Sequence, residues 1–288
     1  MKLLITGAGG QLGQDCVRLM LDRHEICALT SRQLNVTDAE MVRGAVECVR
    51  PDVLINCAAY TAVDACESET ECCMTVNAHG PAHIADACAE FGCRLIHIST
   101  DYVFDGAKPV PEPYLESDPV GPVSAYGRSK LSGEQAIAER LENHLILRTA
   151  WLYGIGGNNF LKTMLRLARA KRPLKVVNDQ HGSLTWTMTL ARQIERLLDC
   201  GLTGIAHATA EGHCTWFEGA KYFLEAMQIA CDITPCATAE YPTPARRPAN
   251  SILENRRLKE HGLNVMQDWR ADLDEFVKLH REELLTGN

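Results

Sequence analysis

The 288 residues are 46% hydrophobic and 23% charged, with a net charge of −8, so they can bury one or two cores. No apolar stretch reaches the roughly 18 residues of a membrane span, so no membrane span is expected. No basic run exceeds a pair, which argues against duplex nucleic acid as a partner.

The opening segment from Met1 to Gly7 has one lysine and a very short apolar run, which suits a first core strand better than a signal peptide. A cytoplasmic location is the expectation. Thirteen cysteines, without a C-x-x-C pair, lack zinc-ligand spacing and do not suggest a disulfide framework. They are expected to be reduced and mostly buried, and no metal is expected.

In chain order, the apolar run Leu3 to Thr6 precedes a helix from Gln11 to Leu21. A second run covers Ile26 to Leu29. Thr37 and Glu40 form a capping box for a helix to about Val49, which Pro51 ends. Runs at Val53 to Asn56 and Leu95 to Ile98 bracket a helix from Pro81 to Phe91 closed by Gly92. A Pro-rich loop leads to a long helix over Tyr126 to Leu141, then the run Leu145 to Leu147. Strands apolar on both faces, alternating with helices, predict a doubly wound, Rossmann-type parallel α/β sheet.

From Trp151 the pattern loosens: a helix at Asn159 to Ala170, a strand at Leu174 to Val177, a helix at Met188 to Leu198 and two helices near the end. Residues 1–150 are expected to form the dinucleotide-binding domain, with a returning segment at about 185–210. Residues 151–184 and 211–288 are expected to form a smaller C-terminal substrate-binding cap.

The loop Gly7-Ala8-Gly9-Gly10-Gln11-Leu12-Gly13 sits between the first strand and the first helix. Gly7, Gly10 and Gly13 permit a tight turn and close approach of a pyrophosphate, and the helix N-terminus favours its charge. Some 20 residues on, Leu29 to Gln33 contains no acid to hold the ribose 2′-hydroxyl of NAD. Ser31 and Arg32 suit a 2′-phosphate, so NADPH is expected ahead of NADH. Arg32 as a free surface side chain is the alternative.

Tyr126 and Lys130 are spaced i, i+4, which places phenol and ammonium on one helix face. The ammonium is expected to draw the tyrosine pKa down, so that Tyr126 can pass a proton to a carbonyl oxygen as hydride arrives. Lys130 can also bind the nicotinamide ribose. Thr100, past the fourth run, falls at the carboxyl end of a strand and can bond the carbonyl, with Ser99 on the opposite face. A strand-ending Ser-Thr pair bonding its own turn is the plain alternative.

The glycine loop, Asn56 to Asp64, Ser99 to Gly106 and the Tyr126/Lys130 pair resemble the extended short-chain dehydrogenases. Arg148 to Gly154, Asn158 to Phe160, Asp179 to Ser183 and Pro244 to Pro248 narrow the resemblance to the dTDP-4-dehydrorhamnose reductase family. The resemblance implies reduction of a nucleotide-linked 4-keto sugar with NADPH or NADH. It implies that Asn35 and Val36 flank the adenine, and that Gln11, Leu12, Ala58, Ala59 and Tyr60 line the cofactor. Thr100, Asp101, Tyr102 and Trp151 are implied at the sugar or its nucleotide, with Trp151 as plain core the alternative. Arg246 is implied at the diphosphate.

Leu184 stands where the family usually has proline. Some relatives form magnesium-linked dimers through glutamates. Asp15 falls at one such position, but residues 182–190 carry no carboxylate. No metal site is expected, and monomer or homodimer stays open. Two other functions remain. One is a non-catalytic, NADP-binding regulatory subunit, like that of methionine adenosyltransferase, which resembles the same family. The other is a reductase of a different 4-keto sugar nucleotide.

Overall fold

The computed structural model describes residues 1–286. Five strands alternate with helices in the first half: β1 (Lys2–Thr6), α1 (Gln11–Met20), β2 (Glu25–Leu29), α2 (Ala39–Val49), β3 (Val53–Asn56), α3 (Thr70–Met74), α4 (Gly80–Phe91), β4 (Arg94–Thr100), α5 (Ala125–Arg140) and β5 (His144–Thr149). A π-helical turn, Thr75–His79, joins α3 to α4. The second half contains β6 (Leu152–Tyr153), α6 (Phe160–Arg169), β7 (Leu174–Val177), β8 (His181–Gly182), β9 (Thr185–Trp186) and α7 (Thr187–Arg196). It continues with β10 (Gly204–His207), β11 (Cys214–Thr215), α8 (Trp216–Ala226), β12 (Ile233–Cys236), α9 (Arg256–Glu260) and α10 (Trp269–Thr286).

Six strands form one sheet in the order β10-β5-β4-β3-β1-β2, and every pairing is parallel. The period-two pleat assigns alternate residues to two cores. Leu3, Ile5, Val53, Ile55, Ile96, Leu145 and Leu147 pack with α1 and α7 on one face. Leu4, Leu54, Leu95 and Ile146 pack with α2, α4 and α5 on the other. Both faces are covered, so the strand centres are mostly apolar on both sides, as the runs in the sequence suggest.

The chain order reverses between β1 and β3, and a crevice opens beyond the carboxyl ends of such a pair. A third core lies beside the sheet, built on Trp186, Phe223, Trp269 and Phe276 from β9, α8 and α10. Leu184 is buried in that core and abuts Gly219.

Two local expectations shift. Asp38, not Thr37, caps α2: its carboxylate accepts from the Met41 N–H at 3.0 Å, while the Thr37 hydroxyl donates to Asn35. The helix starts one residue later than the capping-box pattern implies. The capping box of α8, Thr215 with Glu218, has no counterpart among the expected elements. No helix among the described residues is long and apolar enough to cross a membrane. The cysteines are free thiols, with Cys16, Cys66, Cys73, Cys88, Cys93, Cys214 and Cys236 buried.

Candidate active site

The glycine loop runs straight from β1 into α1. Gly7 adopts φ 66°, and a Cβ there would lie 2.6 Å from the Ala58 nitrogen. At Gly13 a Cβ would lie 2.8 Å from the Ala8 Cα. Gly10 caps α1 without a side-chain hydrogen bond, which leaves first-turn N–H groups open to an anion. A cavity of about 370 Å³ continues from this loop past Thr30, Ser31, Asn35, Val36, Ala58 and Ala59. These residues fit a dinucleotide: a cradle for phosphates and a recess for the adenosine. We expect Gly13→Ala to weaken NADPH binding tenfold or more, because overpacking costs about 1–3 kcal/mol. Fluorescence titration checks this. Gly44→Ala is the control, because a Cβ at Gly44 meets nothing within 4 Å.

A second cavity, of about 430 Å³, borders the first through Gly10, Cys57 and Ala59. Thr100, Asp101, Tyr126, Lys130 and Trp151 line it. Ser124 starts α5 by accepting from the Gly127 N–H, and α5 then delivers Tyr126 and Lys130 on its buried face. The Thr100 hydroxyl reaches the Tyr126 phenol and donates to the Asp101 carboxylate at 3.0 Å. Asp101 Oδ2 and Thr149 Oγ1 are buried without a protein partner, and both residues face this cavity. Buried polar atoms of this kind are usually satisfied by a ligand or water.

The electrostatics differ from expectation. Burial, then the Asp101 charge, holds the Tyr126 phenol above its usual range, so the expected lowering by Lys130 is corrected. The Lys130 Nζ donates to the Ile98 carbonyl at 2.7 Å and lies 3.2 Å from His97 Nε2. Its own pKa is pushed down to about 8 by burial. The Asp101 carboxyl is raised to about 6, also by burial. A phenol held protonated is the right starting form for donating a proton.

Residues from the second half of the chain close the other side. Trp151, at φ 48°, stacks on Trp216 with centroids 3.6 Å apart and planes 10° from parallel. Gly182 lies under the Trp151 ring, where a Cβ would come within 2.5 Å. A positive φ on a tryptophan is rare, and such strain concentrates at functional sites. Arg246 is exposed, whereas Arg247 lines a cavity with Val63, Tyr102, Gln180 and Trp216. Arg247 also pairs with Asp64 at 2.9 Å. The geometry therefore moves the available guanidinium from Arg246 to Arg247, because adjacent residues of an extended turn point apart.

Of the other expected residues, Gln11 and Leu12 line the larger cavity, Ser31 the smaller, and Arg32 is exposed beside it. Tyr60 lines neither cavity and turns its phenol to Glu69, so the expected cofactor contact at this residue is not formed by its side chain. Its backbone is clamped by buried Asn77, from the π turn, through both its N–H and its C=O. Asn77, His97 and Trp216 were not anticipated, and Asp64 and Arg247 entered only as members of the Asn56 to Asp64 and Pro244 to Pro248 motifs. The π turn leaves no simple sequence signal, although such turns recur at functional sites.

Asp15 is buried and accepts from Thr187 at 2.5 Å. Another cavity, of about 600 Å³, lies between Lys162, Arg166 and Glu283 and shares no lining residue with the two cavities above.

The family described as RmlD substrate binding domain matches residues 1–282. A dTDP-4-dehydrorhamnose reductase of Mycolicibacterium smegmatis is 42% identical over 284 residues, covering 96% of this chain and 85% of that one. The crystal structure of a dTDP-4-dehydrorhamnose reductase from Clostridium acetobutylicum superposes with TM-score 0.94 at 40% identity, over 97% and 99% of the two chains. That of a dTDP-4-dehydrorhamnose reductase from Bacillus anthracis, solved in complex with NADP, gives TM-score 0.94 at 37% identity, over 96% and 99%.

Proposed function

The chain belongs to the RmlD substrate binding domain family, and from that premise we propose that it uses NADPH to reduce the C4 ketone of dTDP-4-dehydro-L-rhamnose, giving dTDP-L-rhamnose. It is an NAD(P)-dependent oxidoreductase of nucleotide-sugar biosynthesis. The observation that carries the reading is the convergence of Thr100, Tyr126 and Lys130 on one cavity contiguous with the glycine loop.

NADPH, when bound, supplies the hydride. Gly7, Gly10 and Gly13 would hold its pyrophosphate, Ser31, Asn35 and Val36 its adenosine end, and Lys130 its nicotinamide ribose. Tyr126 gives its phenolic proton to the ketone oxygen, and water returns a proton to the resulting phenolate. Thr100 would turn its single hydroxyl proton from Asp101 to that oxygen, beside the phenol. Trp151, stacked on Trp216, offers a flat apolar face to the sugar or base, and Arg247 offers charge to the diphosphate. In this reading residues 151–184 and 211–288 act as the substrate cap, and the protein works in the cytoplasm.

NADPH oxidation measured at 340 nm with enzymatically generated dTDP-4-dehydro-L-rhamnose tests this reading. Turnover is expected, and cofactor binding without turnover would contradict it. Arg32→Ala is expected to raise the KM for NADPH roughly tenfold, the loss of about one charge-assisted hydrogen bond, and to leave NADH unchanged. Equal effects on both cofactors would remove Arg32 from the 2′-phosphate.

A further inference from the structure

A buried polar chain leads from β1 to Lys130, and its directions are fixed by one backbone group. The Ala58 N–H can only donate, and it donates to Asn56 Oδ1 at 3.1 Å. The Thr6 hydroxyl donates to the same oxygen at 2.7 Å. Asn56 must therefore turn its Nδ2 toward His97 Nδ1, 2.9 Å away. An amide nitrogen donates, so Nδ1 accepts and carries no proton. In a neutral imidazole the proton then sits on Nε2. His97 is fully buried, and burial and the neighbouring Lys130 both disfavour a charged ring.

The Nε2–H points at the Lys130 Nζ, 3.2 Å away. Against an ammonium this contact sets donor against donor. A neutral amine accepts the N–H with its lone pair and still donates to the Ile98 carbonyl. We infer that His97 is a positioning residue that draws Lys130 toward the neutral amine in the cofactor-free protein, so that it gives up its proton more readily than an ordinary lysine, through a tautomer imposed by Asn56. Other groups around Lys130 pull the opposite way: Glu134 on α5, Cys57 after β3 and Cys73 on α3 favour the ammonium. Glu134 is already engaged by Arg148 and Ser99, which tempers its pull. Burial outweighs all three, and Lys130 is lowered to about 8.

The inference rests on the reading of Lys130 as part of the reducing site, so its test uses no turnover. The cofactor-free full chain is labelled with 15N-histidine and 13Cε-lysine and titrated by NMR. His97 is expected to show a bare Nδ1 and a protonated Nε2 at pH 7. Lys130, assigned by its loss in Lys130→Met, is expected to titrate near 8, below the other lysines. In Asn56→Asp the carboxylate accepts from Nδ1–H, Nε2 becomes an acceptor, and the Lys130 midpoint is expected to rise by about one unit or more. An Nδ1–H tautomer, or a Lys130 midpoint above 10 with the other lysines, overturns the inference. So does an unmoved midpoint in Asn56→Asp. If that variant does not fold, the two wild-type measurements decide alone.

Discussion

Tyr126→Phe is expected to lower kcat by about 10²–10⁴-fold, the usual contribution of a positioned proton donor, while NADPH binds with little change. The substitution removes one hydroxyl from a buried ring whose polar contact is with Thr100. The ring keeps its edge-to-face contact with Tyr102, with centroids 5.5 Å apart, so the fold should persist. Steady-state kinetics with a parallel fluorescence titration of NADPH check both halves. Retained turnover would assign the proton to another group, and lost cofactor binding would make the effect structural. The raised phenol pKa also predicts that Tyr126 stays protonated, and so competent, across the neutral range.

Arg148→Met is expected to destabilise the protein by about 3–5 kcal/mol, because it leaves the Glu134 carboxylate buried without its cation. The pair is bidentate, at 2.6 and 3.0 Å, with both side chains 3% exposed, and Ser99 donates to the same carboxylate at 2.5 Å. Glu134 lies one turn beyond Lys130 on α5, so the pair, with Ser99, ties the helix that carries Tyr126 and Lys130 to β4 and β5. The double variant Arg148→Met/Glu134→Met is expected to recover most of the loss, since apolar replacement of a whole buried pair is often near neutral. Urea unfolding of the three proteins measures this. Additive losses in the double variant would show that the residues act separately.

The sheet could be read from the sequence because a parallel strand covered on both faces needs an unbroken apolar run, and each such run is a strand here. Tyr126 and Lys130 could be read because their geometry is set within one helix. What escaped depends on residues far apart in the chain. Trp216 meets Trp151 only through the cap, and Asn77 meets Tyr60 only because a π turn aims it there. The Tyr126 phenol was expected to be lowered by its helical neighbour, yet its pKa is set by desolvation, which depends on the packed surroundings. The choice between Arg246 and Arg247 turned on the direction of two adjacent side chains, and no spacing rule gives that. The N-cap of α2 slipped by one residue, and the capping box was lost, because Thr37 found a partner in Asn35.

The most direct test of the central claim is hydride transfer followed atom by atom. The wild-type protein is supplied with NADPH deuterated at the transferring position of C4 and with dTDP-4-dehydro-L-rhamnose, and the product is analysed by ¹H NMR. The account predicts deuterium at the sugar C4 with couplings of the L-rhamno configuration. Deuterium absent from C4, or couplings of the C4 epimer, would contradict it.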